Sequence, residues 1–93
     1  MNSDKDLNLL QAKLAQRVHD GDLVAKNHLL NSLLPLTEHI VLKHIAKGAK
    51  TKVELEEIVD QALVKSVSKF FSEERKYKLG TYFSWHLRSL LNS

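Results

Sequence analysis

The chain has 93 residues, of which 43% are hydrophobic and 27% are charged, and its formal net charge at pH 7 is +3. This length leaves room for one hydrophobic core, and the composition is that of a folded domain, not of a disordered chain. The absence of cysteine excludes disulfides and thiolate metal sites. We therefore expect one domain over residues 1–93, with residues 1–6 flexible.

Membrane and export signals are missing from the sequence. No uninterrupted run of apolar residues is long enough to cross a bilayer. The first six residues, Met1 to Asp6, lack the basic and then apolar order of a signal peptide. A cytoplasmic protein without a membrane partner is expected.

Apolar residues recur at steps of three and four along the chain, which predicts helices and no strands. The first helix is predicted over about residues 4–18, capped by Ser3 or Asp4 and ended by the turn around Gly21. Its apolar stripe consists of Leu7, Leu10, Leu14 and Val18.

The second helical segment is predicted over about residues 23–46, with Asp22 as its cap and Gly48 as its stop. Pro35 lies inside it and removes one backbone hydrogen bond, so we expect a kink or a split there. Its apolar stripe includes Leu29, Leu30, Leu33, Leu36, Ile40, Val41 and Ile45.

The third helix is predicted from Thr51 to about Phe71. Thr51 and Glu54 have the spacing of a capping box. The buried side is predicted to consist of Leu55, Ile58, Val59, Ala62, Val67 and Phe70. The opposite side carries Glu57, Gln61, Lys65 and Ser68.

A polar, basic stretch over residues 72–80, with a helix break predicted near Gly80, precedes a last helix. Thr81 is predicted to cap this helix, which runs to about Leu91. This helix has two stripes. One is apolar and contains Phe83, Leu87, Leu90 and Leu91; the other contains Tyr82, Trp85, His86 and Ser89. Together the segments predict an all-α fold, a compact bundle of four to five helices.

The sequence gives little support to a catalytic or metal-binding function. No two histidines have the i, i+4 spacing of a helical zinc site, and there is no His-Glu-x-x-His. No glycine-rich phosphate loop and no nucleophile elbow occurs. We therefore predict that the chain is not an enzyme and uses no metal or cofactor.

Aromatic and basic residues alternate near the C-terminal end, where no acidic residue occurs from Arg75 to Arg88. Single-stranded nucleic acid needs flat faces for its unpaired bases and cations for its phosphates. Alternatively, Tyr82 and Trp85 belong to the core of a helix that is buried on two faces. The residues of this segment that supply either an aromatic face or a positive charge are Arg75, Lys76, Tyr77, Lys78, Tyr82, Trp85 and Arg88.

The same segment contains the run Lys78-Leu79-Gly80-Thr81-Tyr82-Phe83-Ser84-Trp85-His86-Leu87-Arg88. It resembles the pattern Lys-Phe-Ser-Thr-Tyr-Ala-x-Trp-Trp-Ile-Arg of bacterial sigma factors, which recognises and melts the minus-ten promoter element. The preceding run from Phe71 to Tyr77 is similar to Phe-Asp-Pro-Glu-Arg-Gly-Phe of that family. The turn Asp20-Gly21-Asp22, with the apolar residues that follow it, looks like the opening of the small extracytoplasmic-function branch.

The resemblance covers residues of about 10–92 and corresponds to sigma region two. It implies that the chain docks on the β′ clamp helices of core RNA polymerase, and recognises and melts the minus-ten promoter element by contacting the non-template single strand. It also makes an anti-sigma factor a candidate partner. The implied DNA contacts are Arg75, Lys76, Tyr77, Lys78, Thr81, Tyr82, Trp85, His86 and Arg88. The implied polymerase contacts, on the third helix, are Glu57, Asp60, Gln61, Val64 and Lys65.

Two departures from the family pattern leave a second function open. His86 stands in place of the second tryptophan, and the third helix lacks the intact Gln-Glu pair of the family's docking motif. A sigma-like interaction module, which binds polymerase as a decoy or regulator without melting DNA, would fit these departures. The separate helix-turn-helix domain of sigma factors is not included in these 93 residues.

Overall fold

Five helices follow one another in a computed structural model of the protein, which describes the backbone of residues 3–45 and 51–92. Side chains are described for residues 5–44 and 51–92. No strand occurs in these ranges, so the predicted all-α bundle of four to five helices is confirmed. The helices are α1 (Ser3–His19), α2 (Leu23–Ser32), α3 (Leu34–Ile45), α4 (Lys52–Ser72) and α5 (Leu79–Leu91).

The turn between α1 and α2 matches the prediction. Gly21 has a φ of +95°, in the left-handed region that favours glycine. The Asp22 carboxylate accepts a hydrogen bond of 3.0 Å from the Ala25 amide and so caps α2. That bond, with the guanidinium of Arg17 at 2.8 Å, holds the pKa of Asp22 below its usual range.

The long second segment is split into two helices, α2 and α3, as the proline predicted. The break is at Leu33, and Pro35 lies in the first turn of α3. Backbone N–H groups there have no partner within the helix, so the missing N–H of proline costs no hydrogen bond. The Leu33 carbonyl accepts from both the amide and the hydroxyl of Thr37, at 2.8 Å each. These bonds join the two helices closely across the break.

Thr51 caps α4, as predicted: its hydroxyl accepts a hydrogen bond of 3.1 Å from the Glu54 amide. Thr51→Ala should lower the free energy of unfolding by about 1 kcal/mol, because the amide loses its partner. Thr51→Ser keeps the hydroxyl and is the matched control. Urea unfolding followed by circular dichroism measures both, and equal midpoints for the two variants would contradict the cap.

The start of α5 differs from the prediction. The helix begins at Leu79, so Thr81 lies within its first turn and is not the cap; the N-cap position is Lys78, whose side chain forms no capping bond. The break between α4 and α5 also lies before Gly80. It is formed by Glu74 and Arg75, whose φ values of 56° and 60° are left-handed. The Arg75 amide donates a hydrogen bond of 2.8 Å to the Phe70 carbonyl and so ends α4.

The buried face of α1 is also rotated from the predicted stripe. Leu7 and Leu10 are exposed, whereas Gln11 and Ala15 are buried beside Leu14. The Gln11 amide is satisfied by a bond of 3.2 Å to the Ser32 hydroxyl of α2. Side chains of Ser3 and Asp4, and the predicted stop at Gly48, lie outside the described residues.

The centre of the core is where α4 and α5 pack together with α1, α2 and α3 around them. The largest fully buried side chains are Tyr82 and Phe83. The other buried hydrophobic residues are Leu14, Ala15, Ala25, Leu29, Leu33, Ile40, Ala62, Leu63, Val67, Phe70, Leu79, Leu87 and Leu91.

None of the helices in the described part of the chain is both long and apolar enough to span a membrane.

Candidate nucleic-acid interface

Three aromatic rings meet where the α4–α5 turn joins α5, and we call Tyr77, Tyr82 and Trp85 the aromatic cluster. Ring centroids are 5.2 Å apart for Tyr77 and Trp85, 5.8 Å for Tyr77 and Tyr82, and 5.7 Å for Tyr82 and Trp85. The interplanar angles lie between 65° and 86°, so each pair packs edge to face. Each ring therefore holds the other two in position.

The three rings differ in exposure. Trp85 is 50% exposed and Tyr77 is 43% exposed, but Tyr82 is only 1% exposed. Trp85 thus presents ring surface to solvent, and the reading of Trp85 as a core residue is wrong. The opposite correction applies to Tyr82: it belongs to the core, with Phe70 at 6.2 Å, and has no free face for a base. Its place is underneath the two exposed rings.

Glu73 anchors Tyr82 from the end of α4. The Tyr82 hydroxyl donates to the Glu73 carboxylate at 3.1 Å, and the Lys69 ammonium lies 3.3 Å from the other carboxylate oxygen. Hydrogen bonding by Tyr82, followed by Lys69, lowers the pKa of Glu73. Burial, together with this carboxylate, raises the pKa of Tyr82. The pair is therefore a neutral phenol on an ionised carboxylate at neutral pH.

Exposed basic side chains lie next to the aromatic cluster along the chain, and two of them, Lys76 and Lys78, are also close to its rings in space. Lys76, Lys78 and Arg88 are exposed, and no carboxylate of residues 5–44 or 51–92 forms an ion pair with them. The Lys76 ammonium is 5.5 Å from the centroid of the Tyr77 ring. Arg75 is different, because its guanidinium lies 5.3 Å from the Phe71 centroid and stabilises the turn by packing.

A groove of about 320 Å³ adjoins Trp85 and brings distant parts of the chain together. Thr81 and Ser84 of α5 supply hydroxyl groups to it. Asn8 of α1 and Leu36 of α3 form the facing side. Sequence reasoning missed Asn8, Leu36 and Ser84, because no local pattern shows that α1 and α3 approach this part of α5.

His86 lies on a different side of α5 from the exposed cations. It is half-buried, and burial, with Lys65 and Lys69 of α4 nearby, lowers its pKa. A lowered pKa leaves the imidazole neutral at neutral pH. His86 therefore offers no positive charge for the DNA contact that the sequence predicted. Its side chain lies between α4 and α5, away from the exposed cations.

The predicted polymerase contacts lie along α4. Glu57, Gln61, Val64 and Lys65 are exposed, and we call these four residues the α4 outer face. Asp60 is half-buried and pairs with Lys26 of α2, the two charged atoms being 2.5 Å apart. Four of the five predicted residues are thus free for a partner, whereas Asp60 already has one.

Neither a protein-family model nor a solved structure matches this chain. Among the described residues, no three His, Asp or Glu side chains come together as a metal site would require. The chemical groups of the site are the two exposed rings of Tyr77 and Trp85, three exposed cations and the hydroxyl groups of Thr81 and Ser84.

Proposed function

We propose that this protein is a sigma-like transcription-initiation domain, which binds core RNA polymerase through α4 and non-template promoter DNA through α5. The observation that carries the proposal is the half-exposed Trp85, held edge-on by two tyrosines within a basic, acid-free segment. The resemblance of residues 78–88 to the sigma minus-ten segment supports the same assignment. Such a domain acts in the cytoplasm.

The exposed rings favour single-stranded over double-stranded DNA. A base that stacks on Trp85 or Tyr77 gains about 1–3 kcal/mol by the measure of alanine substitution. In a duplex the same base is already stacked on its neighbours, at about 1.4 kcal/mol per step. The stacking free energy of two rings therefore offsets the cost of opening only a few base pairs. We expect the isolated domain to hold a strand that is already open, and not to melt a duplex.

Phosphates of the bound strand would follow the cations around the aromatic cluster. Lys76 and Lys78 precede α5, and Arg88 lies near its end, so the charges extend along the helix past Trp85. Thr81 and Ser84 offer hydroxyl groups to a base edge or a sugar in the adjoining groove. Because the rings pack on one another before DNA arrives, little order has to be gained on binding.

Tryptophan fluorescence tests the DNA contact directly, because Trp85 is the one tryptophan of the chain. We expect an A/T-rich single strand of the minus-ten type to quench the emission at low salt, and the matching duplex to quench it much less. Lys78→Ala should reduce the log–log salt slope by about 0.7, as expected for one phosphate contact on a single strand. Emission that does not respond to either DNA would overturn the DNA role.

Charge reversal on the α4 outer face tests the polymerase contact. Glu57→Lys with Gln61→Lys should weaken binding of a β′ clamp-helix fragment at least ten-fold, because two positive charges replace one negative and one neutral group. These positions leave the Lys26–Asp60 pair intact. Exposed charges contribute little to folding, so the midpoint of thermal unfolding should stay nearly unchanged.

The control for this experiment is Glu38→Lys with Asn27→Lys, which adds the same three units of positive charge at exposed positions on α3 and α2. Titration of the labelled clamp fragment, followed by fluorescence anisotropy, gives the affinities. Equal binding by wild type and the α4 variant would remove this surface from the proposal.

A second candidate function is a sigma-like interaction module that binds polymerase without engaging DNA. Two observations favour this function: Tyr82 is buried, and His86 is half-buried beside α4. Only Tyr77 and Trp85 of the aromatic cluster are then exposed to a base. Clamp binding with no fluorescence response to single-stranded DNA is the result that would select this function.

A further inference from the structure

Glu73 is an acidic residue at the edge of the basic surface around Trp85. A negative charge there opposes the approach of phosphates. Each of its carboxylate oxygens nevertheless has a partner: one accepts from the Tyr82 hydroxyl at 3.1 Å, and the other lies 3.3 Å from the Lys69 ammonium. The contact with Tyr82 joins the end of α4 to the first turns of α5, nine residues further along the chain.

Tyr82 transmits this contact to the exposed rings. Its buried ring packs edge to face on Phe70 of α4 and on both exposed rings, Tyr77 and Trp85. The hydroxyl is at the tip of the side chain, so the bond to Glu73 fixes how far the ring extends beneath the cluster. A shift of Tyr82 would remove the support from both exposed rings.

The backbone of the turn also depends on such anchors. Glu74 and Arg75 adopt left-handed conformations, which are unfavourable for residues other than glycine. The Arg75 amide bond to Phe70 holds the turn to α4, and the Glu73–Tyr82 bond holds it to α5. Tyr77 follows directly, so its place beside Trp85 depends on the path of this turn.

We infer that Glu73 is a positioning residue, which holds Tyr82 and, through it, Tyr77 and Trp85 in the arrangement that receives unpaired bases. The inference rests on the proposed DNA-binding function of the aromatic cluster. Lys69 offsets part of the carboxylate's charge, so the repulsion of phosphates is reduced while the hydrogen bond is kept.

Glu73→Gln and Glu73→Ala form a matched pair of variants for the test. Both remove the negative charge, but glutamine keeps an oxygen that can accept from Tyr82. We expect Glu73→Gln to bind an A/T-rich single strand at least as tightly as wild type. Glu73→Ala should bind about threefold to tenfold more weakly than Glu73→Gln, the range of one hydrogen bond.

Tyr82→Phe removes the same bond from the other side, together with the contact between its hydroxyl and the Tyr77 backbone, and keeps the ring. It should weaken binding at least as much as Glu73→Ala does, and adding Glu73→Ala to it should cause no further loss, because the bond to Glu73 is already absent. Glu56→Ala, an exposed carboxylate near the start of α4, is the control for charge removal elsewhere. All variants are first confirmed as folded by far-ultraviolet circular dichroism.

The arrangement of the rings can be measured without DNA. Near-ultraviolet circular dichroism and acrylamide quenching of Trp85 should change in Glu73→Ala and stay as in wild type in Glu73→Gln. In Tyr82→Phe, which itself removes a near-ultraviolet chromophore, acrylamide quenching is the measurement that should change. If the alanine and glutamine variants match in DNA affinity and in both spectra, the positioning role is overturned. If wild type itself binds no single strand, the proposed function fails, and the free-protein spectra still decide whether Glu73 organises the cluster.

Discussion

Phe83→Ala is expected to lower the free energy of unfolding by about 3–5 kcal/mol, which is a large part of the stability of a domain of this size. Phe83 is 0% exposed and lies on the face of α5 that packs into the core. Its removal loses the transfer free energy of the ring and leaves a cavity that neighbouring helices fill only in part.

Urea unfolding followed by circular dichroism measures this loss. The control is Leu42→Ala on α3, which removes apolar atoms from a side chain that is 67% exposed. We expect the control to change the free energy of unfolding by no more than about 0.5 kcal/mol. Similar midpoints for the two variants would show that α5 does not bury this face.

Trp85→Ala is expected to weaken binding to a single-stranded minus-ten oligonucleotide ten-fold or more. The expectation follows from about 1–3 kcal/mol for a base stacked on an aromatic ring. The variant should lose about 1–2 kcal/mol of stability and still fold, because half of the ring is in solvent and the other half packs on Tyr77 and Tyr82. Loss of affinity in a variant that remains folded is the signature of a binding surface.

Anisotropy of a labelled oligonucleotide gives these affinities, since the variant lacks the intrinsic fluorophore. Trp85→Phe keeps a smaller stacking face and should lie between wild type and alanine, and Leu42→Ala, on a different helix, should bind as wild type does. An alanine variant that binds with wild-type affinity would mean that any DNA contact lies elsewhere on the chain.

The sequence by itself determined the helical class and the ends of helices that have local chemistry. Asp22 and Thr51 cap α2 and α4 because each side chain reaches an amide three residues ahead, a distance set by the helix alone. Pro35 separates α2 from α3 for an equally local reason, its missing N–H. Helical spacing of apolar residues likewise requires no knowledge of the neighbouring helices.

Local chemistry was insufficient at α5. The sequence offered Thr81 as a cap and Gly80 as a break, but the helix begins at Leu79. Leu79 is buried in the core, and Gly80 lies beside Leu36 of α3, where an added Cβ would be 3.7 Å from that side chain. Packing between α3 and α5 thus extends the helix past a residue that would end it in isolation.

Tertiary structure alone decided which residues of a stripe are buried. Tyr82 and Trp85 share one stripe of α5, yet Tyr82 packs on Phe70 and bonds to Glu73, whereas Trp85 stays half in solvent. On α1, likewise, Gln11 is buried and Leu10 is not. Periodicity gives the direction of each side chain from its own helix axis, but burial depends on where the other helices lie, and their positions are set by contacts between residues far apart in the chain.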